Sequence, residues 1–357
     1  MATSLAFAQV EARVAAIGVV IAFNGPAGIC LILGVPPFRV TRYAMLQARY
    51  DGLPVIGLDD NVWIPITLAA ATFQVLRTSR QHRLRAVLSV NGAGFVRYAY
   101  GFPLALAAAF ATFVVAGQPL PSVPPRFWPI VAGAGIAQIL GTLALLKAFD
   151  LRDFAIGTVY AKTEVILVAI VSAIALSEPL RPAGWLAAGI CMVGVAWLAA
   201  PDRFRDVMSS AADPAALMGI AAGAGFAVAA VGIRGASSSL DGGSSWDRAL
   251  VTLTVMLGIQ TLLNGTQLVL TDRPEAGRVA RHWRAAIPVG VLSLCGSASW
   301  ALALTLTNAA KVRTLGQVEL VIAFAVSVWW LREQHTRAEY AASALVLVGI
   351  LGVIALG

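Results

Sequence analysis

Charge is scarce in this chain. Only 12% of its 357 residues are Asp, Glu, Lys or Arg, about half the roughly 25% usual in soluble domains. Cysteine is equally sparse. Cys30, Cys191 and Cys295 are the only three, each in an apolar stretch without paired spacing, which excludes a disulfide framework and a zinc site. Three histidines, His82, His282 and His335, stand alone beside Arg-rich loops and read as interfacial residues. No His-Glu-x-x-His and no Gly-x-Ser-x-Gly occurs, so the chain lacks the motifs of zinc peptidases and α/β-hydrolases. The formal charge of +8 does not indicate nucleic acid. The arginines sit between apolar blocks and not along one basic stripe interleaved with aromatics, which fits anionic lipid headgroups better.

Apolar residues make up 59% of the chain, and the mean hydropathy is +0.79. They come in blocks near the roughly 20 residues a helix needs to cross hydrocarbon. The alternation of barrel strands is missing, so helices remain as the spanning solution. Ten spans are expected: Val62–Leu76, Val96–Ala116, Trp128–Ala148, Phe154–Leu176, Ala183–Ala200, Ala215–Ile233, Ala249–Leu270, Ala285–Thr307, Val312–Leu331 and Ala341–Leu356. The polar link Pro201–Pro214 divides them five and five, and Arg234–Arg248, rich in Gly and Ser, reads as a flexible connector. The first span is short and is followed by Gln74, Arg77 and Arg80. It is either capped early or turns a polar end toward a protein-lined cavity. The distribution of arginines gives a slight lean to the Arg-rich loops facing the cytoplasm.

The chain repeats itself at an offset of 155 residues. Glu164–Glu178 (EVILVAIVSAIALSE) lies over Glu319–Glu333 (ELVIAFAVSVWWLRE), and the offset also pairs Gly135 with Gly290, Gly141 with Gly296 and Gly194 with Gly349. The expected division is therefore an amino-terminal extension of uncertain status, 1–57, a first five-helix repeat, 58–202, and a second, 203–357. An odd number of helices per repeat makes the two halves run in opposite senses through the bilayer, related by an axis in the membrane plane. The fold class expected is an all-α membrane protein of ten helices in two inverted five-helix repeats.

Two carboxylates fall at membrane depth. Glu164 lies ten residues into its span, about 15 Å along a continuous helix, and Glu319 lies seven residues in, about 10 Å. A charge there costs at least about 2.5–3.5 kcal/mol, so both should face the bundle interior or water. Equivalent positions in the repeats suggest a shared central site that binds substrate or carries protons; a purely structural hydrogen-bonding role is the alternative. Lys162 is two residues before Glu164 and points to the opposite side of a regular helix, so the two can line one cavity only across a kink. Arg97, in FVRYAYGFPLAL, is a candidate for an anionic group, a partner glutamate or a headgroup. Gln138, Gln317, Tyr160, Ser293, Ser299 and Trp300 are candidate walls of the same pocket. Glu178 and Glu333 end their helices and read as structural, and Trp329-Trp330 reads as an aromatic belt.

This pattern resembles the EamA-type transporters of the drug/metabolite transporter superfamily. There the fourth helix of each five-helix half reads roughly as a small and apolar run, Glu-Pro-Val, apolar residues, then Gly-Glu. Here the glutamates and their spacing match, whereas Val165 and Leu320 stand for the proline and Ser177 and Arg332 for the glycine. The resemblance covers about Val62 to Gly357. It implies a multi-pass inner-membrane secondary transporter, an exporter of small metabolites, amino acids or amphipathic compounds working by alternating access. Its partners would be a small-molecule substrate, the bilayer and protons or another coupling ion, with no cofactor. The other readings are a lipid-intermediate flippase, a non-transporting scaffold and, less favoured by the motifs, a membrane-embedded enzyme.

Overall fold

A computed structural model describes residues 61–151, 159–199, 213–326, 328 and 335–357. The amino-terminal extension, nearly all of the Pro201–Pro214 link, Trp329-Trp330, Arg332 and Glu333 lie outside the described residues. Among them the structure is almost wholly helical: α1 (Trp63–Leu84), α2 (Val90–Ala99), α3 (Gly101–Phe110, continued by a π turn, Ala111–Val115), α4 (Phe127–Leu151), α5 (Glu164–Ala175), α6 (Pro182–Ala199), α7 (Pro214–Ser239), α8 (Ser245–Thr271), α9 (Arg273–Arg281), α10 (Trp283–Leu306), α11 (Ala309–Gly316), α12 (Val318–Val326) and α13 (Arg337–Leu356).

Seven of these stretches are long and apolar enough to cross a bilayer: Val90–Val115, Phe127–Leu151, Pro182–Ala199, Pro214–Ser239, Ser245–Thr271, Trp283–Leu306 and Arg337–Leu356. Large apolar side chains stay outside the core, with Leu270 and Ile174 about 80% exposed. That is the surface expected against lipid rather than water.

Helix boundaries follow local chemistry. Asp213 caps α7 by accepting the Ala215 N–H at 2.9 Å, with Pro214 at the first helical position, where its missing N–H has no consequence. Ser244 and Asp247 form a reciprocal capping box at α8, as Thr336 and Glu339 do at α13. The expected flexible connector Arg234–Arg248 is not one. Helix α7 runs on through Ser239, with Ser237 Oγ donating to the Ile233 carbonyl at 2.7 Å and Ser239 Oγ to that of Ala236 at 2.7 Å. Back-bonding to the preceding turn absorbs the serines that composition alone assigned to a linker. Only a tight turn remains, with Gly242 and Gly243 at φ of 78° and 68°, a region that glycine enters without a Cβ clash.

The first span also differs from expectation, extending past Leu76 to Leu84. Its polar second half does face a cavity, described below. Between α8 and α10 the short helix α9 covers one end of the bundle. Its Val279 packs among Leu84, Leu88 and Val96, and the Tyr100 hydroxyl donates to the Val279 carbonyl at 3.0 Å.

The main packing pairs are α4 with α7, α1 with α10, α6 with α13, and α2–α3 with α8. Glycines permit the closest of these approaches. A Cβ on Gly141 of α4 would sit 3.1 Å from the Ala222 carbonyl of α7, and one on Gly194 of α6 would sit 2.7 Å from the Val346 nitrogen of α13. Such small-residue contacts let helices associate in lipid by backbone approach.

Candidate functional site

A cavity of about 580 Å3 opens between the helices, lined by residues of α1, α2, α4, α7, α8, α10 and α11 and by the two carboxylates Glu164 and Glu319. One end carries Thr78, Gln81, Asn91 and Thr271, all near helix termini. The other reaches Ile233, Leu253 and Leu304.

The helix carrying Glu164 is interrupted. Residues 159–161 are helical, Lys162 and Thr163 form a turn, and α5 starts at Glu164. The depth expected for Glu164 from an unbroken helix therefore does not apply. The interruption is the kink that brings Lys162 and Glu164 to one cavity wall. Gln317 interrupts the second carboxylate helix in the same way, between α11 and α12, just before Glu319. No proline is needed at either break. The freed backbone is re-satisfied by short-range bonds, Val165 N–H to Lys162 O at 3.2 Å and Leu320 N–H to Gln317 O at 3.1 Å. Irregular backbone at membrane depth is tolerated where it lines a cavity.

Both carboxylates are paired across the chain. Lys162 Nζ lies 2.7 Å from Glu319 Oε1, and the Gln74 amide donates to Glu319 Oε2 at 2.8 Å. The Arg313 guanidinium pairs with Glu164 and stacks over the Trp300 ring, 4.7 Å from its centroid. Trp300 Nε1 donates to Gln74 Oε1 at 3.2 Å, which joins the two pairs through one network. The cavity also holds Arg97, whose guanidinium lies 4.8 Å over the Tyr98 ring.

Of the other expected residues, Gln138 lines the cavity and accepts from Gln260 Nε2 at 2.8 Å. Gln317 lines it too, donating to the Arg313 carbonyl at 3.2 Å. Trp300 is a wall residue. Tyr160 is not. It is buried in a separate apolar cluster with Val159 and Ala216, whereas its neighbour Ala161 lines the cavity. Ser293 is buried without a hydrogen-bond partner, outside the cavity. Ser299 donates to the Cys295 carbonyl at 2.8 Å and is not a wall residue.

Sequence reasoning missed Arg313 and Arg234, and it named Gln74 only within a polar end that could face a cavity, without its Glu319 and Trp300 partners. Arg313 stands at the edge of an apolar block, and the repeat places Thr158 opposite it, so neither pattern marked it. Arg234 sat in the expected connector. It instead makes a two-pronged contact with Glu178, Nε to Oε2 at 2.6 Å and Nη2 to Oε1 at 2.7 Å. Its Nη1 also donates to the carbonyls of Leu304 and Thr307 at 2.9 and 2.6 Å. Asn308 Nδ2 donates to the Glu178 carbonyl at 2.9 Å. This clamp follows Ile233 and includes the Leu304 carbonyl, so it sits beyond the apolar end of the cavity.

Residues 213–355 match the model of the EamA-like transporter family. A crystal structure of a protein superposes with a TM-score of 0.59 at 19% sequence identity, over 83% of this chain and 98% of the other. That likeness concerns the fold alone. Comparison with curated proteins finds no match. The second half of this multi-pass membrane chain is therefore similar to the EamA-like transporter family, part of the drug/metabolite transporter superfamily.

Proposed function

We propose that this protein is a secondary transporter of small metabolites, amino acids or amphipathic compounds, built from two inverted five-helix repeats, 58–202 and 203–357. In this reading α1 and the two interrupted carboxylate helices also cross the bilayer, giving ten spans. The packing supports the repeat. An offset of 155 residues carries the α4–α7 contact onto α10–α1, and the α6–α13 contact onto itself. The shared glycines follow. Gly141 abuts Ala222 and Phe226 of α7, while Gly296 abuts Phe73 and Ala70 of α1; Gly194 abuts Val346, while Gly349 abuts Cys191.

The observation that carries the reading is the crosswise pairing of Glu164 and Glu319 over a central cavity. Each carboxylate takes its cation from the opposite half, so rocking one half against the other must exchange these pairs. A substrate or proton that neutralises one member shifts the balance between the two arrangements by its differential affinity. The Arg234 clamp closes the apolar end of the cavity, and its breakage accompanies opening to that side. Direction of export across the inner membrane and proton coupling follow from the family resemblance and belong to the same proposal. Reconstituted into proteoliposomes, E164Q/E319Q should lose gradient-driven uptake of any transported compound by at least about tenfold, an effect of roughly 1.4 kcal/mol. Unchanged uptake removes both carboxylates from the mechanism.

A further inference from the structure

We infer that the cavity selects a small organic anion, a carboxylate or phosphate on an apolar or aromatic body, and holds it with Arg77 and Arg97. This rests on the transporter reading for its purpose but on the charge count for its chemistry. Among the described residues, six ionisable side chains line the cavity: Arg77, Arg97, Lys162, Arg313, Glu164 and Glu319. Four cations against two carboxylates leave an excess of two positive charges. Lys162 and Arg313 are taken by the carboxylates, so the excess resides on Arg77 and Arg97.

Neither of these has a carboxylate in ion-pair contact among the described residues. Among the described residues, Arg77 Nε is buried without a hydrogen-bond partner, and Arg97 lies over the face of Tyr98. The two guanidinium charges also repel each other, an effect that Glu319 partly offsets at Arg77 from beyond ion-pair contact. Like charges without an ion-pair partner are unfavourable in the empty cavity, and a bound anion relieves that. Guanidinium forks suit carboxylate and phosphate oxygens by paired N–H donation. Part of the remaining wall, with Leu143, Leu146, Phe149 and Phe226, suits an apolar body, while amides such as Gln138, Gln260 and Asn264 line other parts of it. The two glutamates, already neutralised, are poor receptors for a cation.

The test uses the full chain purified in detergent, with phenylacetate and phenyl phosphate as anions and phenethylammonium as the matched cation. Both anions should raise the thermal midpoint by several degrees at about 100 times Kd, and phenethylammonium should not. R77Q and R97Q should each weaken anion binding by roughly ten- to a hundredfold, the loss expected for one charged hydrogen-bonding fork. R97K keeps the charge without the fork and should fall between, which guards against a misfolded variant. Stabilisation by phenethylammonium, no response to either anion, or wild-type anion affinity in both glutamine variants overturns the inference. Added phosphatidylglycerol that competes with phenyl phosphate identifies a lipid headgroup as the source of the same anion chemistry. Absence of competition assigns the site to soluble anions. Anion binding without counterflow in proteoliposomes leaves the inference standing and removes the carrier reading. Counterflow of phenethylammonium without anion binding does the reverse.

Discussion

The two interrupted helices, one bearing Glu164 and the other Glu319, match in sequence at an offset of 155 residues and differ in an instructive way. Both break immediately before the carboxylate, at Lys162–Thr163 and at Gln317. The residue two positions before the glutamate is Lys in one and Gln in the other. Where it is Lys162, it pairs with Glu319 of the other interrupted helix; where it is Gln317, the cation comes instead from Arg313, four residues earlier. The carboxylate position is common to both halves while its partner is not. The geometry preserved is therefore a charge brought to a break in a helix, and the compensation is free to vary.

The comparison can be broken unequally from its two sides. The Glu164 side chain is 6% exposed and that of Glu319 is 17%; Glu319 also keeps a hydrogen bond from Gln74. Arg313→Met should therefore be the more damaging change, costing about 3–5 kcal/mol by leaving a buried charge unpaired. Lys162→Met should cost about 2–3 kcal/mol, less because the amide of Gln74 remains. In each case thermal unfolding in detergent gives the loss, and the added E164Q or E319Q should recover most of it. If the doubles are no better than the singles, the pairs are incidental to stability.

A third comparison sets these charged contacts against the apolar seam of α6 and α13. Gly194→Leu should destabilise by about 1–3 kcal/mol through overpacking against the Val346 backbone, and it should do so without changing the pH dependence of any flux. The smallest effect is expected at Glu275 of α9, outside the membrane-spanning segments. Burial pushes its carboxyl up, but the Ser89 N–H at 2.6 Å and the adjacent Arg278 outweigh this and hold it below the usual carboxylate range. Its stabilisation is therefore present above the ordinary carboxyl pKa and fades as pH falls through the lowered one. Acidification from about pH 6 to 3 should remove on the order of 1 kcal/mol, seen as a falling unfolding midpoint that is flatter in E275Q.

Much of this was legible in the amino-acid order. Helical membrane architecture followed from block length and sparse charge, and the 155-residue offset picked out glycines that do sit at helix contacts. Glu164, Glu319, Lys162, Arg97, Gln138, Gln317 and Trp300 all reach one cavity, and the kink required for Lys162 and Glu164 to do so is present. What stayed hidden was non-local. The partners of Gln74 and Arg313 become visible only when helices far apart in sequence meet, at separations of 245 residues for Gln74–Glu319. Arg234 was obscured by a serine-rich composition that imitates a loop while its hydroxyls bond back to the helix. Tyr160 was misplaced, since it packs with Val159 and Ala216 while its neighbour Ala161 lines the cavity.

The crosswise arrangement bears on how the molecule is made. Synthesis proceeds from the amino terminus, so in the ten-span reading Glu164 enters the bilayer well before Arg313 exists to meet it. A chain stopped after its first half carries a buried acid with no counter-charge from the missing half, a state penalised by a few kcal/mol in hydrocarbon. Glu164 gains Arg313 only when the last third of the polypeptide is in place, so the crosswise ion pairs close late in synthesis.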